Sequence, residues 1–360
     1  MKNKNTFRNL CLALAMSASL VGTAHAQLFG KSRVPDRVEL TEKSDFAAAY
    51  GEAFQQPGAL AGKFRRPDFK HRKLAIGSFE VEYAFEQVGR SNEGGTSGTG
   101  NTEYTYYLKN VTEAQMQSVT EKAYAQFVEM AKAQGYEIVP ADAIASTSFK
   151  EQLAQTNAAP VRKEKSAVAG LLKKDDGSDS DNVTILTTAK GTANFPSMAI
   201  MSTGPLGKLA KETSAVAVGV RMKVNFMKIT DKGGIARSDL EAIPQNVLAI
   251  QSTKIEFFAP EDAVFWSLPL WRQVILPNGI AEKAVRREVK SEDKAKAAGK
   301  AVFGGLMGML GSRSGTSAQA IAEALGESPH HDVTAGADYE AKVGGDLSLA
   351  LKMFAQALPK

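Results

Sequence analysis

Cysteine is almost missing from this chain, and its scarcity limits the chemistry that the chain can perform. The single cysteine among 360 residues is Cys11, which lies inside an apolar stretch close to the N-terminus. The rest of the chain can form no disulfide, no thiolate zinc site and no cysteine nucleophile. The fold must therefore rely on its hydrophobic core, and a chain of this length can bury one large core or two modest ones.

Histidine is also scarce. Beyond residue 26 the chain holds only His71, His330 and His331. His331 beside Asp332 could be a base and its orienting group or part of a metal site, but no second ligand pair lies nearby, and we expect a solvated loop. No Gly-x-Ser-x-Gly elbow is present, because Gly311–Gly315 carries arginine in the middle position. The sequence therefore predicts no catalytic residue, no cofactor and no metal.

The N-terminus has the three parts of a cleavable secretory signal. Lys2, Lys4 and Arg8 precede a mostly apolar run from Leu10 to Val21, which is followed by the small-x-small sequence Ala24-His25-Ala26. The run is shorter than the roughly 20 residues that span a bilayer, and a buried first helix is the alternative interpretation. Cys11 lies inside the apolar run and not at the cleavage point, so we do not expect a lipoprotein. We predict cleavage near Ala26 and a periplasmic or secreted mature protein.

Removal of the signal changes the charge balance. The signal contains three basic and no acidic residues, so the formal net charge falls from +5 to +2. Nucleic-acid binding requires clustered Lys and Arg rather than a high overall pI, and we predict no nucleic-acid partner. No later apolar run reaches spanning length, so we also predict no transmembrane span in the mature chain.

Hydrophobic periodicity predicts an α/β or α+β fold with a mixed β-sheet of five or more strands covered by helices. We divide the chain into a signal peptide (1–26), an N-terminal extension (27–72) with a short helix capped by Ser44, and an α/β domain (73–360). Strands are predicted at residues 74–85, 104–108, 136–139, 182–188, 216–226, 247–258 and 338–343. Helices are predicted at residues 112–134, 147–156, 163–174, 205–211, 283–298, 316–325 and 346–358.

Three local patterns support these boundaries. Residues 79–85 alternate apolar and polar side chains, which predicts a strand with one wet face, and Gly77 could supply a bulge that switches faces. Thr112 and Gln115 form a capping box. Gly135 stands where a left-handed C-terminal cap belongs.

A polar, glycine-rich segment at residues 91–102 is the first candidate binding site, through Gly94, Gly95, Gly98 and Gly100. It lacks the Lys-Ser/Thr pair of a phosphate loop and precedes a strand instead of a helix. A flexible hairpin or loop is therefore the simpler interpretation. Asp175, Asp176, Asp179 and Asp181 could hold calcium, but the spacing fails the EF-hand pattern, and we expect an acidic surface turn.

An apolar segment rich in glycine and methionine, residues 301–310, is the second candidate binding site. Its candidate residues are Phe303, Leu306, Met307, Met309 and Leu310. Lysines precede it and Arg313 follows it, which is typical of an interfacial membrane segment or a partner-binding flap. A second apolar patch at residues 264–276 contains Trp266 and Trp271. The alternative for both patches is that they pack in the core.

Residues 74–140 resemble the periplasmic α/β domain of the curli secretion lipoprotein and the N-terminal domain of TolB. The shared pattern is a strand at residues 74–85, a polar loop, a helix at residues 112–134 and a strand that begins Gly135-Tyr136. The resemblance covers about 70 residues, and this chain lacks the lipid-accepting cysteine of the curli protein. What the resemblance implies is a non-enzymatic role in the cell envelope.

These observations predict an exported, non-enzymatic binding or assembly protein of the cell envelope, with peripheral membrane contact as one mode of binding. The expected partner is an envelope protein, a lipid or a surface polymer. The alternatives are an exported hydrolase with an unidentified nucleophile and a subunit of a secretion or envelope complex.

Overall fold

The computed structural model describes residues 37–54, 72–95, 98–165, 183–195, 200–231, 240–250, 252–261, 265–281, 284–286 and 330–358. The strands in this part of the chain are β1 (Arg37–Glu39), β2 (Lys73–Ala84), β3 (Glu86–Gly95), β4 (Gly98–Lys109), β5 (Glu137–Ile138), β6 (Val161–Lys165), β7 (Val183–Thr188), β8 (Val216–Asp231), β9 (Leu240–Leu248), β10 (Lys254–Phe258), β11 (Phe265–Pro269), β12 (Gln273–Ile275), β13 (Ala284–Arg286) and β14 (His330–Thr334). The α-helices are α1 (Phe46–Phe54), α2 (Glu113–Ala133), α3 (Ala141–Ala145), α4 (Lys150–Ala158), α5 (Ile200–Thr213) and α6 (Tyr339–Phe354), which a 3₁₀ turn follows.

A mixed ten-stranded sheet forms the centre of the fold, so the predicted α/β class and sheet are confirmed. Its main order is β1-β12-β9-β8-β2-β7-β6, with β5 beside the start of β2 and β10 and β11 beside the start of β8. Strands β2 and β8 are parallel neighbours over almost the whole length of β2. Because β8 is longer than β2, its free edge pairs first with β10 and then with β9.

A second sheet of four strands, in the order β13-β14-β4-β3, continues from the first. Only Phe85 separates the end of β2 from the start of β3, and Gln87 joins the two sheets. The Gln87 Oε1 atom accepts hydrogen bonds from the backbone N–H groups of Phe226 (2.8 Å) and Met227 (2.7 Å). These two residues lie where the pairing of β8 with β9 shifts register, so one side chain satisfies donors that the bulge removes from the ladder.

The main hydrophobic core lies between the large sheet and helices α2 and α6. Phe79 and Val81 of β2, Val220 of β8 and Phe127 of α2 are buried there. Strand β1 and helix α1 contribute Val38, Ala53 and Phe54 to this core. The described part of residues 27–72 therefore packs into the same core as the α/β domain.

Helix α5 covers the opposite face of the sheet so closely that Gly77 has no room for a side chain. A Cβ atom at Gly77 would lie 2.4 Å from Leu206 Cδ2 and 2.8 Å from Leu209 Cδ2. The register of β2 against β8 shifts between Ile76 and Ser78, which confirms the predicted bulge. The bulge moves Phe79 and Val81 onto the main core face, while Ala75 faces α5 in a second, smaller core.

The predicted helix at residues 112–134 is confirmed, together with its caps. Gln115 N–H donates to Thr112 Oγ1 (3.2 Å), and Thr112 N–H donates to Gln115 Oε1 (2.9 Å). Gly135 has a φ of +85°, as a left-handed cap requires. The predicted cap at Ser44 is wrong, because Asp45 Oδ1 accepts the N–H groups of Ala47 and Ala48 at the start of α1.

Several predicted boundaries are wrong for physical reasons. Residues 247–258 form two strands, since the chain turns between β9 and β10 so that both can pair with β8. Residues 163–165 belong to strand β6, where pairing with β7 replaces the start of the predicted helix, and residues 166–174 of that prediction lie outside the described residues. Residues 339–343 begin α6 instead of forming a strand. Helix α5 continues through Pro205 rather than starting there.

We expect the substitution Gly77→Ala to destabilise the fold by about 1–3 kcal/mol, because the new methyl group would push α5 away from β2. The matched control is Gly51→Ala at an exposed position of helix α1, where no atom lies within 4 Å of the added Cβ. That change should be neutral or stabilise by roughly 0.5–1 kcal/mol. Urea denaturation of the three proteins measures both values, and equal stability of the two variants would contradict the close packing of α5.

Candidate functional site

The predicted glycine-rich site lies at the tip of a β-hairpin. Strands β3 and β4 pair from Glu86 with Tyr107 to Gly95 with Gly98, so Gly94 and Gly95 belong to one strand and Gly98 and Gly100 to the other. Of the two structures left open by the sequence, the hairpin is present. Strand β14 pairs with β4 only from Thr105 to Lys109. Within the described residues, the glycine-rich half of the hairpin therefore extends beyond the four-stranded sheet as a two-stranded ribbon.

The predicted apolar site lies outside the described residues. Phe303, Leu306, Met307, Met309 and Leu310 all fall in residues 287–329, and the acidic turn at residues 175–181 is also outside the described ranges. The structure does describe the two strands that flank this segment in the sequence. Strands β13 and β14 are antiparallel neighbours, with Arg286 directly opposite His331. Residues 287–329 thus connect two paired strands that a two-residue turn could join.

The prediction of a solvated loop at His331 is wrong. His331 lies in β14, and its ring stacks on Tyr106 at 5.2 Å between ring centroids. Asp332 is the next residue of the same strand, so its side chain points to the opposite face of the sheet. Its Oδ1 atom lies 4.0 Å from Lys109 Nζ. These two residues therefore do not form a base with its orienting group.

Trp266, one of the two tryptophans in the apolar patch at residues 264–276, packs inside the fold. It lies in β11, is buried and stacks on Phe257 of β10 at 5.4 Å between ring centroids. This packing confirms the core alternative for Trp266.

Six charged side chains that the sequence analysis did not single out come together on the α5 face of the large sheet. The strand pairing places Glu80 opposite Arg221 and Glu82 opposite Lys223 across β2 and β8. Lys254 of β10 is opposite Arg221 on the other edge of β8. We refer to the following residues as the charge cluster: Glu80, Glu82, Arg221, Lys223, Lys254 and Glu256.

The charge cluster is held together by ion pairs and hydrogen bonds. Arg221 bridges both carboxylates of β2, with Nη2 2.8 Å from Glu82 Oε2 and Nη1 3.5 Å from Glu80 Oε2. Lys223 Nζ lies 3.6 Å from Glu82 Oε1, and Lys254 Nζ lies 2.7 Å from Glu256 Oε1. The cluster thus contains three acidic and three basic groups, each with an oppositely charged partner.

Backbone groups connect the cluster to the chain that follows β7. Glu80 Oε1 accepts the N–H of Phe195 at 2.6 Å, and Arg221 Nη1 donates to the Phe195 carbonyl oxygen at 3.2 Å. The backbone of Phe195 thus donates a hydrogen bond to Glu80 and accepts one from Arg221. Gly219 lies beside them, and a Cβ there would be 3.2 Å from Leu206 Cδ1.

Burial makes this pairing necessary. The exposed fractions are 2% for Glu80, 7% for Glu82 and 6% for Arg221, so the prediction of a wet face for β2 is wrong. Burial acts to raise the pKa of Glu82, but Lys223 and Arg221, together with hydrogen bonds from Arg221 and Thr184, leave that pKa below its ordinary value. Glu82 is therefore ionised at neutral pH, because its cationic neighbours stabilise the carboxylate more than burial destabilises it.

A small cavity of about 20 Å³ lies beside the cluster, lined by Ser78, Glu80, Phe195, Leu206, Gly219, Val220, Arg221, Lys254 and Glu256. This volume can hold a water molecule but is far smaller than a substrate pocket of roughly 300 Å³ or more. The arrangement of the cluster is that of a structural network of paired charges. The regular alternation of Glu80 and Glu82 in β2 with Arg221 and Lys223 in β8 is the sequence signal that could have revealed it.

No helix in the described part of the chain is both long and apolar enough to cross a membrane. No group of three or more His, Cys, Asp or Glu residues in the described ranges is arranged to hold a metal ion.

The chain was compared with protein-family models, with curated proteins and with solved structures, and none of the three comparisons gave a match. The resemblance of residues 74–140 to the curli secretion and TolB domains therefore stays a prediction.

We expect the substitution Arg221→Met to destabilise the protein by about 3–5 kcal/mol, because it leaves Glu80 and Glu82 buried without their shared cation. The control is Lys122→Met, which removes the exposed partner of Glu340 at 3.3 Å and should cost less than about 1 kcal/mol. Urea denaturation at pH 7 compares the two. A cost for Arg221→Met no greater than that of the control would show that the cluster contributes little to stability.

Proposed function

We propose that this protein is an exported, non-enzymatic binding or assembly protein of the cell envelope, and that residues 287–329 carry its binding segment. The observation that carries the proposal is the connection between β13 and β14. Arg286 and His331 are paired neighbours, so the fold does not need the intervening chain to bring the two strands together. Residues 287–329 make a connection of 43 residues between adjacent antiparallel strands, whereas most hairpin loops have about two to five. Binding residues are often found on the connections of a scaffold.

The composition of this connection supports a contact with a membrane or with an apolar partner surface. Residues 301–310 read Ala-Val-Phe-Gly-Gly-Leu-Met-Gly-Met-Leu, and Lys294, Lys296 and Lys300 precede them. Basic residues next to a short apolar segment combine attraction to anionic lipid with apolar burial. Methionine side chains adapt to irregular surfaces.

The β3–β4 ribbon supports the same class of function. Where it extends past β14, the described residues provide no further strand on either edge. Isolated two-stranded ribbons are only marginally stable in water, and exposed strand edges are able to pair with a strand of a partner protein. The ribbon is therefore suited to binding an envelope protein by strand addition.

Export is the first part of the proposal to test. Expression of the full chain in a Gram-negative host, followed by osmotic shock, should release a protein whose mass corresponds to a start at Gln27. The substitution Ala26→Asp should block cleavage, because the position before the cut requires a small neutral residue. Recovery of the uncleaved wild-type chain from the cytoplasm would contradict export.

The binding segment is tested by replacing residues 288–329 with Asn-Gly, the preferred two-residue turn between antiparallel strands. The matched control replaces residues 167–181 with Asn-Gly between β6 and β7, where Lys165 is opposite Val183. We expect the wild-type protein and the control to sediment with liposomes of bacterial phospholipid or with washed envelopes. The 288–329 variant should stay in the supernatant while keeping the wild-type circular dichroism spectrum.

Two results would contradict this assignment. If the 288–329 variant sediments as the wild type does, the binding site lies elsewhere, and the β3–β4 ribbon becomes the segment to shorten. If the 288–329 variant unfolds while the 167–181 control folds, residues 287–329 belong to the core.

A further inference from the structure

The sequence contains a single Asn-Gly pair, Asn278-Gly279, which lies in the turn after β12. Asparagine is chemically labile in proteins, because the backbone nitrogen of the following residue can attack the carbonyl carbon of its side chain. Glycine at the following position favours this attack, since it carries no side chain and leaves the backbone free to rotate. Among the asparagines of the chain, Asn278 is therefore the one most prone to lose its side-chain amide.

Helix α6 holds both the side chain and the backbone of Asn278. Asn278 Nδ2 donates to Asp346 Oδ1 at 2.8 Å and to the carbonyl oxygen of Lys342 at 3.5 Å. The backbone N–H of Asn278 donates to the same Asp346 oxygen at 3.2 Å. Both groups that face Nδ2 are acceptors, so the nitrogen and the oxygen of this amide cannot exchange places.

The acceptor in these contacts is a buried carboxylate. The exposed fraction of Asp346 is 0%, and Asn246 Nδ2 of β9 donates to its second oxygen, Oδ2, at 2.7 Å. Burial raises the pKa of Asp346 to about 6, although hydrogen bonds from Asn246 and Asn278 act to lower it. The group is therefore ionised at pH 7.5, and hydrogen bonds to an ionised acceptor are stronger than those between neutral groups. Asp346 thus holds the Asn278 amide firmly.

The packing of Gly279 explains why the labile pair is present. A Cβ atom at Gly279 would lie 3.2 Å from the carbonyl oxygen of Pro244 in β9. A larger residue would press against this carbonyl group, so the close approach of the turn to β9 favours glycine at this position. The fold therefore requires glycine after Asn278, and the stability of the amide depends on the contacts of the Asn278 side chain.

Loss of the amide would remove these contacts. Attack by the Gly279 nitrogen makes Asn278 Cγ tetrahedral and moves Nδ2 out of the amide plane. The hydrogen bonds from Nδ2 to Asp346 and Lys342 weaken before ammonia can leave. The buried carboxylate would then lose a donor that water cannot replace, so the folded chain opposes the reaction.

We propose that Asn278-Gly279 is a site of spontaneous deamidation that folding suppresses, and that Asp346 is the positioning residue that protects it. In the unprotected chain the Gly279 nitrogen loses its proton to solvent and bonds to Asn278 Cγ, and the Cγ–Nδ2 bond breaks. Nδ2 takes up a proton from water and leaves as ammonia. Water then opens the succinimide ring at either carbonyl group, which gives aspartate or isoaspartate. The inference does not depend on the proposed function.

The product does not fit the place that Asn278 occupies. An aspartate at this position would put a carboxylate oxygen where Nδ2 now lies, 2.8 Å from Asp346 Oδ1. Two like charges at this distance repel each other strongly when they are shielded from water. Isoaspartate would also add a carbon atom to the backbone of the turn. Chains that are deamidated before folding should therefore fail to form the contact between this turn and α6.

The experiment compares two folded variants, Asp346→Leu and Gly77→Ala, at pH 7.5. Urea is used to match their unfolding free energies, so that any difference comes from the site and not from global unfolding. Peptide mass spectrometry measures the fraction of Asn278 that is converted over time. We expect conversion to be about tenfold faster in Asp346→Leu, the factor that corresponds to the loss of roughly one hydrogen bond to a charged acceptor. Asp346→Asn, which keeps an acceptor for Asn278, should restore part of the protection. Equal rates in Asp346→Leu and Gly77→Ala would overturn the role of Asp346.

A second measurement uses only the wild-type chain and stays valid if the variants do not fold. Asn278 should remain unconverted in the folded protein and should be converted in the same chain unfolded in urea, at the same pH and over the same time. Equal conversion in the folded and unfolded chains would overturn the protection by the fold. An unfolded chain that keeps Asn278 intact would overturn the site itself.

Discussion

Five charged side chains are buried on one face of β2, β8 and β10, with the half-buried Lys254 beside them, and the positions of these three strands depend on the pairing of the charges. Arg221 bridges Glu80 and Glu82 of β2 and is the strand neighbour of Lys254 on β10. A shift of β2 by one residue against β8 would move both glutamates to the opposite face of the sheet. Such a shift would leave buried cations without partners. The pairing of charges therefore specifies the register of the sheet as well as contributing to its stability.

The two faces of the large sheet consequently have different roles. The face toward α2 and α6 is apolar and accounts for most of the hydrophobic burial, as Phe79, Phe127 and Phe257 show. The face toward α5 is apolar only where Gly77 and Gly219 allow the helix to approach, and it becomes ionic farther along the same strands. The small sheet is joined to this framework through Gln87. It contains the β3–β4 hairpin with the glycine-rich segment, and its strands β13 and β14 flank residues 287–329 in the sequence.

The parts of the fold that could be predicted are those in which local chemistry and tertiary packing agree. The helix at residues 112–134 was predictable because its capping box and its apolar stripe indicate the same element. Strand β8 was predictable because apolar side chains alternate along it without a break. Ser44 was a wrong cap because the neighbouring Asp45 also has a suitable side chain. Residues 247–258 were read as one strand because a turn at residues 249–253 is required only by the pairing of both halves with β8.

The candidate sites were less predictable, since they depend on contacts between distant residues. Alternating polar residues in β2 predicted exposure, and only the arrival of Arg221 and Lys223 from β8 makes their burial possible. Likewise, nothing near Asp346 in the sequence indicates that Asn246 and Asn278 donate hydrogen bonds to its carboxylate. By contrast, the composition of residues 301–310 is visible in the sequence, and the structure adds that the strands before and after this part of the chain, β13 and β14, pair with each other.

The most direct test of the buried charge network is a double-mutant cycle on Glu82 and Arg221. Unfolding free energies are measured for wild type, Glu82→Gln, Arg221→Met and the double variant at pH 7. If the two side chains stabilise each other as their 2.8 Å contact indicates, the coupling energy should be roughly 2–3 kcal/mol in favour of the pair. A coupling energy within about 0.5 kcal/mol of zero would mean that the two residues contribute independently, and would contradict the central role of the charge cluster.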